Sequence, residues 1–133
     1  MRRWLQGAPV WRRAFCVYAV LLFIATHWPR LELPLPGRSD LLEHLTAFGL
    51  WAGLLVMSGF FGAPASWRNA GWAWPIAIVY AAVDEGLQAI PSVHRNAAID
   101  DWLANVGGIT IGCLVGIALA RWAQRRDRVD QPS

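Results

Sequence analysis

The chain has 133 residues, of which 56% are hydrophobic and only 16% charged, with a formal net charge of +3, and its mean hydropathy is positive. This is room for one domain with the composition of a membrane protein. A bilayer core of roughly 30 Å takes about 20 largely apolar residues per helix, so four spans with their loops leave no soluble domain of useful size.

Residues 1–13 carry Arg2, Arg3, Arg12 and Arg13 and precede an apolar run over 14–28 that Pro29 stops. The charged start and short apolar core resemble a signal peptide, but no A-x-A cleavage pattern follows and more apolar runs do, so a retained first helix is expected. Pro29, Pro34, Pro36 and Gly37 then mark an extended loop. The second span is predicted over 40–61, where helical spacing puts Asp40, His44, Ala47 and Trp51 on one face. After a short loop containing Pro64 and Arg68, a third span is predicted over 71–90, with Pro75 in its first turn, where proline is tolerated. Its Ala73, Ala77, Ala81, Asp84 and Gln88 fall within about 80° of one another.

The fourth span, predicted over 99–122, repeats that design with Asp101, Asn105, Gly108, Gly112 and Gly116 on a similar arc. Two overlapping GxxxG spacings make this a close-packing groove. Spans three and four are therefore expected to form an antiparallel pair with a small-residue seam, and the same glycine face is equally suited to a homodimer. The polar tail over about 125–133 is expected to be disordered.

All twelve basic residues are arginines. Nine lie in the N-terminus, the second loop and the C-terminus, and three in the first and third loops. Because they flank apolar spans they set topology rather than bind nucleic acid, and they place both termini in the cytoplasm. Trp11, Trp28, Trp72, Trp74, Trp102 and Trp122 fall at span ends as interfacial anchors, with Trp51 the exception. This orientation gathers His27, Asp40, Glu43, His44, Asp84, Glu85, Gln88, His94, Arg95, Asp100, Asp101 and Asn105 near the outer face.

Ionisable residues within membrane segments are functional candidates, although water reaches those near helix ends. Asp40 with Glu43 has capping-box spacing, a sufficient structural role for both. His44, four residues after Asp40, suits a base or ligand as well as a bond to a neighbouring helix. Asp84 and Glu85 point about 100° apart, so one faces the bundle and the other the headgroups; Glu85 with Gln88 is the expected inward pair. Asp100 and Asp101 begin a helix, where the dipole favours carboxylates, and Asp101 also shares a face with Asn105. Arg95 is the base of the third loop, and its guanidinium can clamp a phosphate or bridge to Glu85 or Asp101. There is no HExxH, paired-cysteine spacing, GxSxG or phosphate-cradling loop, so no metal or cofactor is expected. Cys16 and Cys113, inside apolar segments, read as small hydrophobes rather than a disulfide or reactive thiols.

The order and spacing of these residues resemble the VanZ-like family of small bacterial membrane proteins, over about 14–120. Asp40 and His44 open the second span as in that family, Glu85 and Gln88 close the third, and Arg95, Asp101, Asn105 and Gly108 match its outer-loop spacing without gaps. The resemblance implies a four-span protein of the bacterial plasma membrane whose founding relative is associated with lowered sensitivity to the glycopeptide teicoplanin.

The expected architecture is thus an all-α, polytopic membrane four-helix antiparallel bundle forming one domain. Its expected function is recognition of an anionic envelope lipid or lipid-linked cell-wall precursor, with Arg95, Glu85, Gln88, Asp101, Asn105, His44 and Asp40 as binding residues. Two alternatives stand beside it: a membrane hydrolase using His44 and the carboxylates as acid and base, and a structural module whose polar cluster only fixes helix register.

Overall fold

A computed structural model describes residues 2–27, 39–88 and 99–129, the side chains of 2–8, 39, 40 and 127 excepted. The described residues form four helices, α1 (Arg2–His27), α2 (Ser39–Ser58), α3 (Trp67–Gln88) and α4 (Ile99–Val129), and no strand. The fold is an all-α four-helix bundle. Helical segments over Pro9–His27, Leu41–Ser58 and Ile99–Arg126 are long and apolar enough to cross a membrane, which makes this a membrane protein. α3, which carries Arg68, Asn69, Asp84, Glu85 and Gln88, is not among them.

Three helices are longer than their apolar cores suggest. α1 starts at Arg2 rather than near 14 and carries Pro9 inside it; arginine is a good helix former, so a basic run need not end a helix. α3 starts at Trp67, which places Pro75 about two turns in rather than in the first turn. There it removes one backbone hydrogen bond, to the carbonyl of Gly71. α4 continues to Val129, so residues 125–129 are helical where a disordered tail was expected; Arg126 stacks on Trp122 one turn earlier, 4.0 Å from the ring centre.

Around the bundle the helices follow the order α1, α2, α4, α3. α1 and α2 are antiparallel, tied by Tyr18 Oη donating to the Ala47 carbonyl at 3.0 Å and Arg12 Nε donating to the Ser58 carbonyl at 3.1 Å. α3 and α4 are also antiparallel, with Trp74 Nε1 donating to Thr110 Oγ1 at 3.0 Å near one level and Arg121 over the Trp67 ring at another. α2 and α4 run parallel in the closest contact of the fold. A Cβ added at Gly108 would fall 2.0 Å from the carbonyl oxygen of Leu45, and one at Gly112 would fall 2.0 Å from that of Gly49. The small-residue seam therefore joins α4 to α2, not to α3 as its sequence neighbour. Glycine is required there because the two backbones touch.

The α2–α3 turn closes the basic end. Gly59 adopts φ +60°, and three carbonyls at the end of α2 find side-chain donors: Asn69 Nδ2 reaches Val56 at 2.8 Å, and Arg12 reaches Ser58 and Gly59. Ser66 caps α3 by accepting from the Asn69 amide at 3.2 Å. The core lies midway along the bundle, built from Phe48, Trp51, Leu55 and Val56 of α2, Ala73, Ala77 and Ala81 of α3, and Ile109, Cys113 and Ile117 of α4.

Candidate functional site

The C-terminal ends of α1 and α3 meet the N-terminal ends of α2 and α4, and all four helices contribute polar side chains there. Asp84 is 1% exposed. Its Oδ1 accepts from the Thr26 hydroxyl at 2.9 Å and its Oδ2 from Gln88 Nε2 at 2.9 Å. His27 lies beside it, with Nδ1 3.6 Å from Oδ1 and its ring stacked on Phe23 at 4.2 Å. Asp84 occupies the arc of Ala73, Ala77 and Ala81, which packs inward, and that position explains its burial.

On the other side, His44 Nδ1 lies 3.1 Å from Asn105 Oδ1, and its Nε2 lies 3.8 Å from Asp101 Oδ2. Asn105 is fully buried, yet its Nδ2 has no hydrogen-bond partner among the described residues. The two halves face each other closely enough that His27 and His44 both lie within electrostatic range of Asp84. One turn toward the core, Phe48 and Tyr80 lie 6.2 Å apart, and Trp51 stacks on Tyr80 at 4.8 Å with the rings 5° from parallel. This aromatic layer lies between the cluster of buried polar side chains, termed the polar chamber, and the apolar core midway along the bundle.

Of the sequence-predicted residues, His44, Asp101 and Asn105 converge here, and Gln88 is buried against Asp84. Both members of the predicted inward pair, Glu85 and Gln88, are buried, but Gln88 bonds Asp84, which was expected to alternate with Glu85 and is buried too. Glu85 is buried as well, at 7% exposure, so the covered arc of α3 widens here and neither acid faces outward. Asp40 lies in the first turn of α2 with its side chain outside the described part, and Arg95 lies outside the described residues. Thr26 and His27 were not singled out as site residues; a lone threonine in an apolar run carries no signal of its own.

Both oxygens of Asp84 are engaged, Asp101 faces His44, and what remains unfilled among the described residues includes Asn105 Nδ2 and His27 Nε2. No three His, Cys, Asp or Glu side chains of the described residues converge to hold a metal ion. Cys16 and Cys113 are unpaired thiols set away from the chamber, and the Thr26 hydroxyl is donated to a carboxylate rather than presented for attack.

The fold defines a helical membrane bundle with a cluster of buried polar side chains at one end. Compared with protein-family models, curated proteins and solved structures, the chain matches none.

Proposed function

We propose that this is a VanZ-like bacterial plasma-membrane protein whose chamber binds the anionic headgroup of an envelope lipid or lipid-linked precursor. The observation that carries this reading is the fully buried Asn105 amide, whose Nδ2 has no partner among the described residues. A buried donor left unfilled costs about 1–3 kcal/mol, so it calls for an acceptor. His44 holds the other end of that amide, and the positive ends of the α2 and α4 dipoles point to the same region, which favours a phosphate or carboxylate oxygen. In this reading Arg95 supplies the charge that clamps the phosphate, Glu85, Gln88 and Asp101 position the donors, and Asp40 closes the site from α2.

The opposite end of the bundle carries Arg12, Arg13, Arg68, Arg121, Arg125, Arg126 and Arg128. By the bias of arginine toward the cytoplasm, the chamber then opens to the outer face and both termini lie inside. A link to glycopeptide sensitivity follows from the family resemblance alone.

Mass spectrometry of lipids co-purified with the wild type, Arg95→Ala and Asn105→Leu, at matched folding, tests the proposal. An anionic lipid enriched on the wild type and lost from both variants is the expected result. Identical lipid profiles for all three would remove the headgroup site. The closed bonding of Thr26, Asp84 and Gln88 favours a structural role for that half of the chamber, within either outcome.

A further inference from the structure

At the arginine-rich end, remote from the chamber, a cavity of about 350 Å³ lies between the start of α3 and the last turns of α4. Its walls include Trp67, Leu114, Ile117, Arg121, Trp122 and Arg125. Arg121 is fixed in place: Nε donates to the Ala65 carbonyl at 3.2 Å and the guanidinium lies over the Trp67 ring at 4.6 Å. Both of its Nη groups remain without a hydrogen-bond partner among the described residues. Arg125 follows one turn later, exposed, with no acid paired to it among the described residues.

Trp67 and Trp122 are 62% and 54% exposed, as tryptophans are at the headgroup level of a bilayer. Leu114 lies about 16 Å along the helix from Arg125, counted at 1.5 Å per residue, and therefore within the hydrocarbon. The cavity is thus cationic at headgroup depth and aliphatic below it. Topology alone explains arginines on this side of the membrane, but not a guanidinium pinned on an indole beside an open cavity. A soluble acidic segment would satisfy the arginines and leave Leu114 and Ile117 untouched.

We propose that this cavity binds an anionic phospholipid, its phosphate between Arg121 and Arg125 and one acyl chain along Ile117 and Leu114. Basic pockets between membrane helices are suited to such headgroups. The site is separate from the polar chamber and does not depend on the function proposed for it.

Native mass spectrometry of the full chain in detergent, titrated with phosphatidylglycerol or phosphatidylcholine of the same chains, reads the preference directly. The wild type is expected to retain phosphatidylglycerol over phosphatidylcholine, and Arg125→Gln to weaken that retention about fivefold, as does Arg121→Gln if it folds. Leu114→Trp, which fills the aliphatic half and leaves both charges, is expected to weaken it too. Arg128→Gln, on the same helix but outside the cavity, is expected to change nothing. Equal retention of the two lipids, or an Arg128→Gln loss as large as that of Arg125→Gln, would overturn the site in favour of diffuse attraction. Displacement by glycerol phosphate at concentrations equal to the lipid, with Leu114→Trp silent, would overturn the phospholipid as occupant and leave a phosphate site. Lipid lost from Arg95→Ala but kept by Arg125→Gln belongs to the chamber and counts against this cavity.

Discussion

The Thr26 hydroxyl donates to Oδ1 of Asp84 across 2.9 Å, joining the ends of α1 and α3 inside the bundle. A carboxylate buried this deeply is costly unless donors surround it. Thr26→Val keeps the shape and removes the donor, and is expected to lower stability by about 1.5–3 kcal/mol, the range for a bond to a charged group. The Thr26→Val/Asp84→Leu double variant should cost less than the sum of its parts, with a coupling on the order of 1 kcal/mol. Thermal unfolding in detergent measures both; strictly additive losses would mean that Asp84 is held by something other than Thr26.

The glycines of α4 divide into two groups by what lies opposite them. A Cβ at Gly108 or Gly112 meets a backbone oxygen of α2 at 2.0 Å, whereas one at Gly107 meets nothing within 4 Å. Backbone cannot give way as a side-chain tip can, so Gly108→Ala and Gly112→Ala must push α2 and α4 apart. Each is expected to cost roughly 2 kcal/mol or more, in the range of overpacked cores. Gly107→Ala should be neutral or stabilising by a few tenths up to about 1 kcal/mol, because alanine favours the helix. Melting temperatures of the three variants decide it, and a Gly112→Ala protein as stable as wild type would remove the seam.

These glycines also show where sequence reading stops. Two GxxxG spacings in α4 announce a close approach but not the helix that approaches. The complement was present in α2, where Gly49 and Gly53 share the four-residue spacing and sit against Gly108 and Gly112. Chain adjacency favoured α3, and tertiary packing chose otherwise. The arc of Ala73, Ala77, Ala81, Asp84 and Gln88 was legible, since a 3.6-residue period reports which residues turn inward together. Glu85 is inside as expected, but the expectation that the other acid faces the headgroups failed because the covered arc at the end of α3 spans more than one packing stripe, so both acids are inside. His44 and Asn105 stood out as polar residues more than a turn inside helices that are apolar beyond them, and Asp101 as an acid one turn before Asn105 on the same face.

Arg12 joins two tasks at the basic end. Its Nε and Nη2 donate to the carbonyls of Ser58 and Gly59 at 3.1 and 3.4 Å, and its guanidinium lies 5.2 Å from the centre of the Phe60 ring. It thereby supplies donors to the end of α2 from a neighbouring helix. Arg12→Gln should cost about 1 kcal/mol, and Arg12→Lys less than that, since an ammonium reaches one carbonyl at a time. Arg13→Gln, the adjacent exposed residue, serves as the charge control. Equal melting temperatures for Arg12→Gln and Arg13→Gln would reduce Arg12 to a topology charge.

Asn105 separates a binding role from a structural one most sharply. Replacing it with leucine removes a bond to His44 worth about 0.5–1.5 kcal/mol, and also removes a buried unfilled Nδ2 that costs about 1–3 kcal/mol. The two terms oppose each other, so Asn105→Leu is expected to leave the lipid-free protein as stable as wild type or more so. Residues kept for binding at the expense of stability behave in this way. An anionic lipid that binds only the folded state raises the melting temperature of the wild type; Asn105→Leu should reduce that rise, and adding Arg125→Gln, which weakens the separate site at the arginine-rich end, should reduce it further. Thermal unfolding with and without phosphatidylglycerol, in all three proteins, reads the two effects separately. A lipid-free Asn105→Leu protein destabilised by more than about 2 kcal/mol would instead make the amide a structural link between α2 and α4, its donor satisfied from within the chain.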